Sequence, residues 1–373
     1  MTSASAPAET MEPTGAKGTR MGRDELIRKL QDSHREIEPG QDVTIELFRP
    51  EDALGVALAY YATYGDTFPL EHVYDPKEII RRNATDDQYT VVARTPRGEV
   101  VGLFGLFRHA PNPGVYEAGQ LMVLKSYRKR GLSTEFSLVA HDKLPKQLRI
   151  PVVFLEAVSN HTVSQRIVLP RGLAFTGLEV ECMSSGVQAK ENDGARDISL
   201  LLMFKVFEKT SRDVHAPEPY RTFCETMYAE LALPRVFSSA AALSGDTLAS
   251  PFFIQKTGLM RLTVTRAGRD FGAVVSAAEA KAGPQGVLQI FLNLGDGGAP
   301  QAAAVLRDRG YFLGGLLPFW FGADGLLMQK VGQEPDWDAI QCVDLKAAAI
   351  RDMVREDFER TKRRETGLPD LPG

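Results

Sequence analysis

This sequence predicts an α+β fold, a mixed central sheet flanked by helices, followed by a second α/β domain. Three observations support that class. The chain has 373 residues, more than one ordinary domain holds and enough for two. Over residues 43–207 the hydrophobic periodicity runs strand, two helices, three strands, helix, strand, helix, two strands. That order is mixed rather than alternating βα. A polar stretch with two prolines at 211–219 then separates this set from a second run of elements.

Composition narrows the function classes. Apolar residues make up 43% and charged residues 25%, near the globular average, which excludes a fibre or a wholly disordered chain. The net charge of −4 gives no reason to expect a nucleic-acid partner. Three widely spaced cysteines form neither a disulfide framework nor a zinc spacing, and six scattered histidines include no i,i+4 pair. No metal is therefore expected. No apolar run approaches the length of a membrane span. Residues 1–20 lack the apolar stretch of a secretory signal, so the expected location is cytoplasmic.

Taken in order, residues 1–22 read as a disordered tail, and 23–37 as a helix with Leu26, Leu30 and Ile37 on one side. A strand is expected at 43–48. Pro50 then opens a helix to residue 64, and Asp75-Pro76 cap and start another to residue 83. Strands at 89–93 and 100–107 flank a Thr95-Pro96-Arg97-Gly98 turn, and a third strand spans 115–123. After a basic, glycine-bearing loop come a helix at 133–148, a buried strand at 151–158, a helix at 162–169, and strands at 174–182 and 198–207. A polar loop joins the last two. In the second half the pattern predicts a hairpin of strands at 259–265 and 271–277, a buried strand at 286–292 and a helix at 300–308. Strands at 311–317 and 326–331 follow. An amphipathic helix at 345–364 closes the chain, with Asp344 as its cap and Ile350, Met353, Val354 and Phe358 as its stripe.

Chemistry concentrates in the run Leu121-Met122-Val123-Leu124-Lys125-Ser126-Tyr127-Arg128-Lys129-Arg130-Gly131-Leu132-Ser133. It is a strand, a basic loop with glycine at the turn, and a helix start. Successive amides at such a turn, backed by the helix dipole, cradle an anion. Gly131 lets the backbone approach a pyrophosphate, and Lys125, Arg128, Lys129 and Arg130 suit a ligand with several phosphates. A solvated loop ahead of an amphipathic helix explains the basic residues equally well.

This segment resembles motif A of the GNAT superfamily of N-acetyltransferases, Gln/Arg-x-x-Gly-x-Gly/Ala after a strand ending in valine. Here it reads Arg128-Lys129-Arg130-Gly131-Leu132-Ser133 after Val123, with serine at the last small position. The element order over 43–207, and the opening Leu47-Phe48-Arg49-Pro50-Glu51-Asp52-Ala53, resemble the whole GNAT fold. The resemblance implies acetyl-CoA, or another acyl-CoA, as co-substrate. It places Leu121, Met122 and Val123 along the pantetheine arm, on a strand that splays from its neighbour. It sets the loop from Arg128 through Lys129, Arg130, Gly131 and Leu132 to Ser133 around the pyrophosphate. Asn160 matches the asparagine that begins motif B, with Ser164 on the helix behind it. An ordinary helix N-cap is the other reading of Asn160.

The family often carries a tyrosine on that helix as general acid. The positions that count to it hold Ile167 and Val168, which donate no proton. Cys182, Tyr116 and His161 are the nearby candidates. Glu117, early on the 115–123 strand, is the candidate general base. Partial burial beside a cleft raises a carboxylate toward neutrality, as deprotonating an amine requires. A solvent-facing strand glutamate is the alternative.

Downstream, residues 286–293, the helix ending at Arg309 and Gly310-Tyr311-Phe312 resemble a second GNAT half that lacks a basic phosphate loop. The expected domains are a tail and short helix at 1–40, an acyl-CoA-binding domain at 41–210, a degenerate GNAT-like domain at 211–335, and a terminal helix and tail at 336–373. The expected acceptor is a small-molecule amine or amino acid, with no nucleic acid and no membrane, and a homodimer is compatible with the sequence. A protein lysine or N-terminus as acceptor, or a non-catalytic acyl-CoA sensor, are the alternatives.

Overall fold

The first strand, β1 (Thr44–Leu47), runs into a 3-10 turn at Pro50–Asp52 and then helix α2 (Ala53–Tyr64). Helix α1 (Arg23–Ser33) precedes it. The computed structural model describes residues 22–68, 70–183, 197–255 and 257–365. The expected tail, and most of the polar loop expected between 182 and 198, lie outside the described residues. Contacts divide the described chain into two compact units, residues 22–109 with 116–150, and residues 110–115 with 151–183 and 197–365. The boundary expected at 210/211 falls inside the second unit.

The first unit continues with α3 (Pro76–Asn83), β2 (Gln88–Arg94), β3 (Val100–Arg108), β4 (Val115–Val123), α4 (Leu132–Leu138) and α5 (Leu144–Leu148). Strands β1, β2, β3 and β4 lie side by side in that order, each antiparallel to the next. Leu26, Leu30, Val56, Tyr60 and Phe68 cover Leu103 and Met122 on one face of this sheet. Asp52 ties α2 to the sheet. Its carboxylate accepts from Arg94 Nε and Nη2 at 2.7 and 2.5 Å and from the Arg49 amide at 2.7 Å. Asp75 accepts from the Lys77 amide at 2.9 Å, so α3 starts at its aspartate cap and proline as expected.

Two expected helices differ in detail. The first ends at Ser33 rather than residue 37, because the Arg35 side chain donates to the carbonyls of Asp32 and His34, both at 2.7 Å. The 133–148 helix is broken by a π turn at Val139–Lys143. Pro145 lacks the N–H that would bond residue 141, so the regular ladder fails there.

The second unit holds β5 (Val152–Val158), α6 (Val163–Val168), β6 (Ala174–Met183) and β7 (Ile198–Val206). It goes on through β8 (Arg212–Val214), α7 (Arg221–Glu230), β9 (Arg235–Phe237), β10 (Leu248–Ile254), β11 (Leu259–Arg266) and α8 (Phe271–Ala282). It ends with β12 (Val287–Asn293), α9 (Ala299–Asp308), β13 (Phe312–Leu317), β14 (Gly325–Lys330) and α10 (Leu345–Glu365). Here one expectation is overturned. Residues 271–277 are not a strand but the start of α8, and the antiparallel partner of β11 is β10, upstream. Phe271, Val275 and Ala278 are buried at helical spacing, Ala, Glu and Lys fill the rest, and Gly283 at φ +75° stops the helix. The short apolar run misled the sequence reading.

The strand order in this unit is β5-β7-β6-β13-β14-β12-β11-β10. The order is the same read outward from its middle, because β5-α6-β6-β7 and β12-α9-β13-β14 share one connectivity with the last strand inserted between the first two. The halves meet where Gly177 of β6 pairs with Gly315 of β13, each at a register shift. A Cβ on Gly177 would lie 2.5 Å from Gly314 O and 2.6 Å from Gly315 Cα, so the two backbones touch. Gln329 of β14, fully buried, spans the junction. Its amide accepts from the Val180 N–H at 2.8 Å and donates to Leu178 O at 2.8 Å and Leu313 O at 3.1 Å.

Helix α10 packs on β6 and β13 through Ile350, Val354 and Phe358. Its Asp357 accepts from Arg307 at 3.0 Å, the Tyr220 hydroxyl at 2.8 Å and the Leu313 amide at 2.7 Å. Before α10, Gln341 and Val343 are clasped by the buried Gln165 of α6, which donates to Gln341 O and accepts from the Val343 amide, both at 2.9 Å.

Candidate active site

Strand β4 is buried along its whole length, and near its middle Gln120 takes φ +57°. Gly119 pairs with Gly105 and Met122 with Leu103, so Gln120 and Leu121 together oppose the single residue Phe104. This is a β-bulge, which interrupts the ladder and turns the strand. Of the three residues expected beside the pantetheine arm it includes Leu121, and Met122 and Val123 follow it, paired with Leu103 and Gly102. The distortion is held by a buried contact, Tyr60 of α2 donating its hydroxyl to Gln120 Oε1. Burial pushes the Tyr60 phenol well above its usual range, so it stays a donor.

Eight residues, 124–131, connect β4 to α4. They form a 3-10 turn at Lys125–Tyr127, then Lys129 at φ +66° and Gly131 at φ +82°, and the helix begins at Leu132. The amides of Thr134 and Glu135 return to Gly131 O at 2.9 and 3.1 Å. No backbone carbonyl of the described residues accepts from the amides of Arg130, Gly131, Leu132 or Ser133. A Cβ on Gly131 would meet nothing within 4 Å, so no other described part of the chain packs on that side of the turn. The structure therefore brings together a left-handed turn, a row of amides and a helix start, the elements of an anion cradle.

The basic side chains of this loop divide into two kinds. Arg128 Nε donates to Val123 O at 3.1 Å, and Arg130 donates to Gln41 O at 2.7 Å while its guanidinium lies over the Tyr127 ring. Both brace the loop. Lys125 and Lys129 are exposed.

Glu117 is only 4% exposed, so it is no solvent-facing strand residue. It pairs with Phe107, two residues from the Gly119–Gly105 pair, on the face that α1 and α2 cover. Its carboxylate stands 3.2 Å from His109 Nε2. The sequence reading missed His109. Hairpin alternation between β3 and β4 was its only signal. Tyr116, offered as an acid, alternates to the opposite face, where its hydroxyl donates to Asp86 O at 2.7 Å.

Asn160 and Ser164 belong to the second unit. Asn160 follows β5, but the N-cap position of α6 is Thr162, so the helix-cap reading of Asn160 is corrected. Ser164 is 5% exposed and its Oγ has no hydrogen-bond partner among the described residues. Cys182 donates to Glu179 Oε2 at 3.4 Å, and burial pushes its thiol well up, so it is held as a neutral thiol against a carboxylate. His161 Nδ1 accepts from the Val163 amide at 3.3 Å.

No protein-family model and no curated protein matches the chain. Among solved structures, the chain is similar to spermidine N-acetyltransferase from Vibrio cholerae in complex with CoA and spermine. That match has 14% identity and a TM-score of 0.35, covering 44% of this chain and 95% of the other. It is also similar to ribosomal-protein-S5-alanine acetyltransferase from Vibrio fischeri, at 12% identity and a TM-score of 0.36, over 46% of this chain and 95% of the other. Both likenesses leave more than half of this chain uncovered. Among the described residues no group of three His, Cys, Asp or Glu gathers as a metal site, and no helix is long and apolar enough to cross a membrane.

Proposed function

We propose that this protein is an acyl-CoA-dependent N-acyltransferase that moves an acyl group, acetyl foremost, to the amine of a small molecule or amino acid. One observation carries the reading. In a single compact unit, a bulged strand leads into a left-handed loop whose amides have no backbone acceptor among the described residues at the start of a helix, with a buried carboxylate on the same strand. The amides of Arg130, Gly131, Leu132 and Ser133 would hold the pyrophosphate, with Lys125 and Lys129 adding charge at its rim. Leu121, Met122 and Val123 would flank the pantetheine arm.

Glu117 would take the proton of the attacking amine, directly or through one water. The amine nitrogen then bonds to the thioester carbonyl carbon, the C–S bond breaks and the thiolate leaves. His109 would steady the Glu117 carboxylate. Ile167 and Val168 supply no proton to the thiolate, and that absence favours the second reading, a chain that binds acyl-CoA without transferring. Acetyl-CoA should raise the melting temperature of the wild-type protein by mass action and leave that of Gly131→Asp unmoved. An equal shift in the two proteins would remove the loop from the site.

A further inference from the structure

The second unit contains its own strand–loop–helix–strand sequence, β11, α8 and β12, with β11 parallel to β12. Its loop is residues 267–270, four residues where the first unit has eight. Each of three consecutive amides there has an acceptor from the same chain. The Ala267 amide donates to Asp296 Oδ2 at 2.8 Å. That of Gly268 donates to Thr247 Oγ1 at 3.0 Å, and that of Arg269 to Gly245 O at 3.0 Å. A Cβ on Gly268 would collide with the backbone of Gly245, Asp246 and Thr247, whereas Gly131 faces open space. The segment is fastened further by Arg266 donating to Asp246 O at 3.1 Å and by the Thr247 amide on Asp270 Oδ1 at 2.7 Å. Strands β11 and β12 are also in register over six consecutive pairs, Leu259–Val287 to Val264–Leu292, so no gap opens between them.

We infer that the C-terminal half carries a coenzyme-type loop plugged by its own chain, with the Asp296 carboxylate and residues 245–247 standing where a phosphate ligand would sit. The inference rests on the reading of 124–133 as the live loop, and it assigns one coenzyme site to each chain. Amides at the start of a helix suit an anion, and here the Ala267 amide already has one, the Asp296 carboxylate at 2.8 Å, while Thr247 and Gly245 take the next two. The C-terminal half is then a structural partner that holds β6 through the Gly177–Gly315 junction.

Hydrogen–deuterium exchange on the full-length chain, with and without acetyl-CoA, tests this. Amides 267–269 should be protected in the ligand-free protein and unaffected by acetyl-CoA, while amides 130–133 should exchange freely and slow when it is added. Asp296→Ala should remove protection at Ala267 and leave the response of 130–133 intact. Fast exchange at 267–269 that slows with acetyl-CoA would overturn the plug. Protection at 267–269 with no response at 130–133 would keep the plug and refute the coenzyme reading of the first loop.

Discussion

Glu117 of β4 and His109, just past the end of β3, meet at 3.2 Å inside the first unit. If Glu117 is the base, Glu117→Gln should lower turnover by about 10²–10⁴-fold while acyl-CoA binding stays nearly intact. The loss should shrink at high pH, where the amine is already deprotonated. An unchanged rate across the pH range would return Glu117 to a structural role. His109 acts through Glu117, so His109→Gln should move the acidic limb of the pH–rate profile more than it lowers the plateau. A plateau loss with an unmoved profile would mark packing alone. Glu117 was legible because a lone carboxylate stood out in an apolar strand. Its partner was hidden because the pairing depends on hairpin register. The bulge was hidden for a related reason. Gln120 at φ +57° has no local sequence signal and is stabilised by Tyr60, sixty residues away in sequence.

Elements that carry their own caps were read correctly from the residues. Asp75-Pro76 started α3, the Thr95-Pro96-Arg97-Gly98 turn marked the hairpin of β2 and β3, and Asp344 caps α10 through the Ala347 amide at 2.9 Å. The error at α8 came from a five-residue apolar run whose helical spacing appears only over a longer window. The β6–β13 junction could not be seen in sequence, because the glycines that permit it act on a partner more than a hundred residues away. Gly177→Ala or Gly315→Ala should each destabilise the second unit by about 1–3 kcal/mol, the cost of overpacking. Urea unfolding would measure it, and a midpoint equal to wild type would show that the backbones do not touch. The Thr247 amide and hydroxyl hold the Asp270 carboxyl below its ordinary value of 3.8. A depressed carboxyl stabilises above its unfolded value, so the melting-temperature difference between wild type and Asp270→Asn should be constant at neutral and mildly acidic pH. It should disappear as pH falls through the lowered value. A difference that grows in acid would contradict the bond.

At the scale of the molecule, the sequence predicts domains that meet at 210/211, and the compact units divide the chain elsewhere, because β5, β6 and β7 pack with the C-terminal half. Truncation after Lys209 should therefore leave β6 without β13, Gln329 and α10, and give an insoluble fragment. A soluble fragment of residues 38–209 with unaltered acceptor preference would show that the second half is dispensable. Acyl transfer is read from the initial rate of thiol release from acetyl-CoA by the full-length protein, across a panel of small amines. Release should depend on the amine in the wild type, fall by about 10²–10⁴-fold in Glu117→Gln and be absent in Gly131→Asp. Saturable acetyl-CoA binding with no amine-dependent release, or equal release by all three proteins, would contradict acyl transfer.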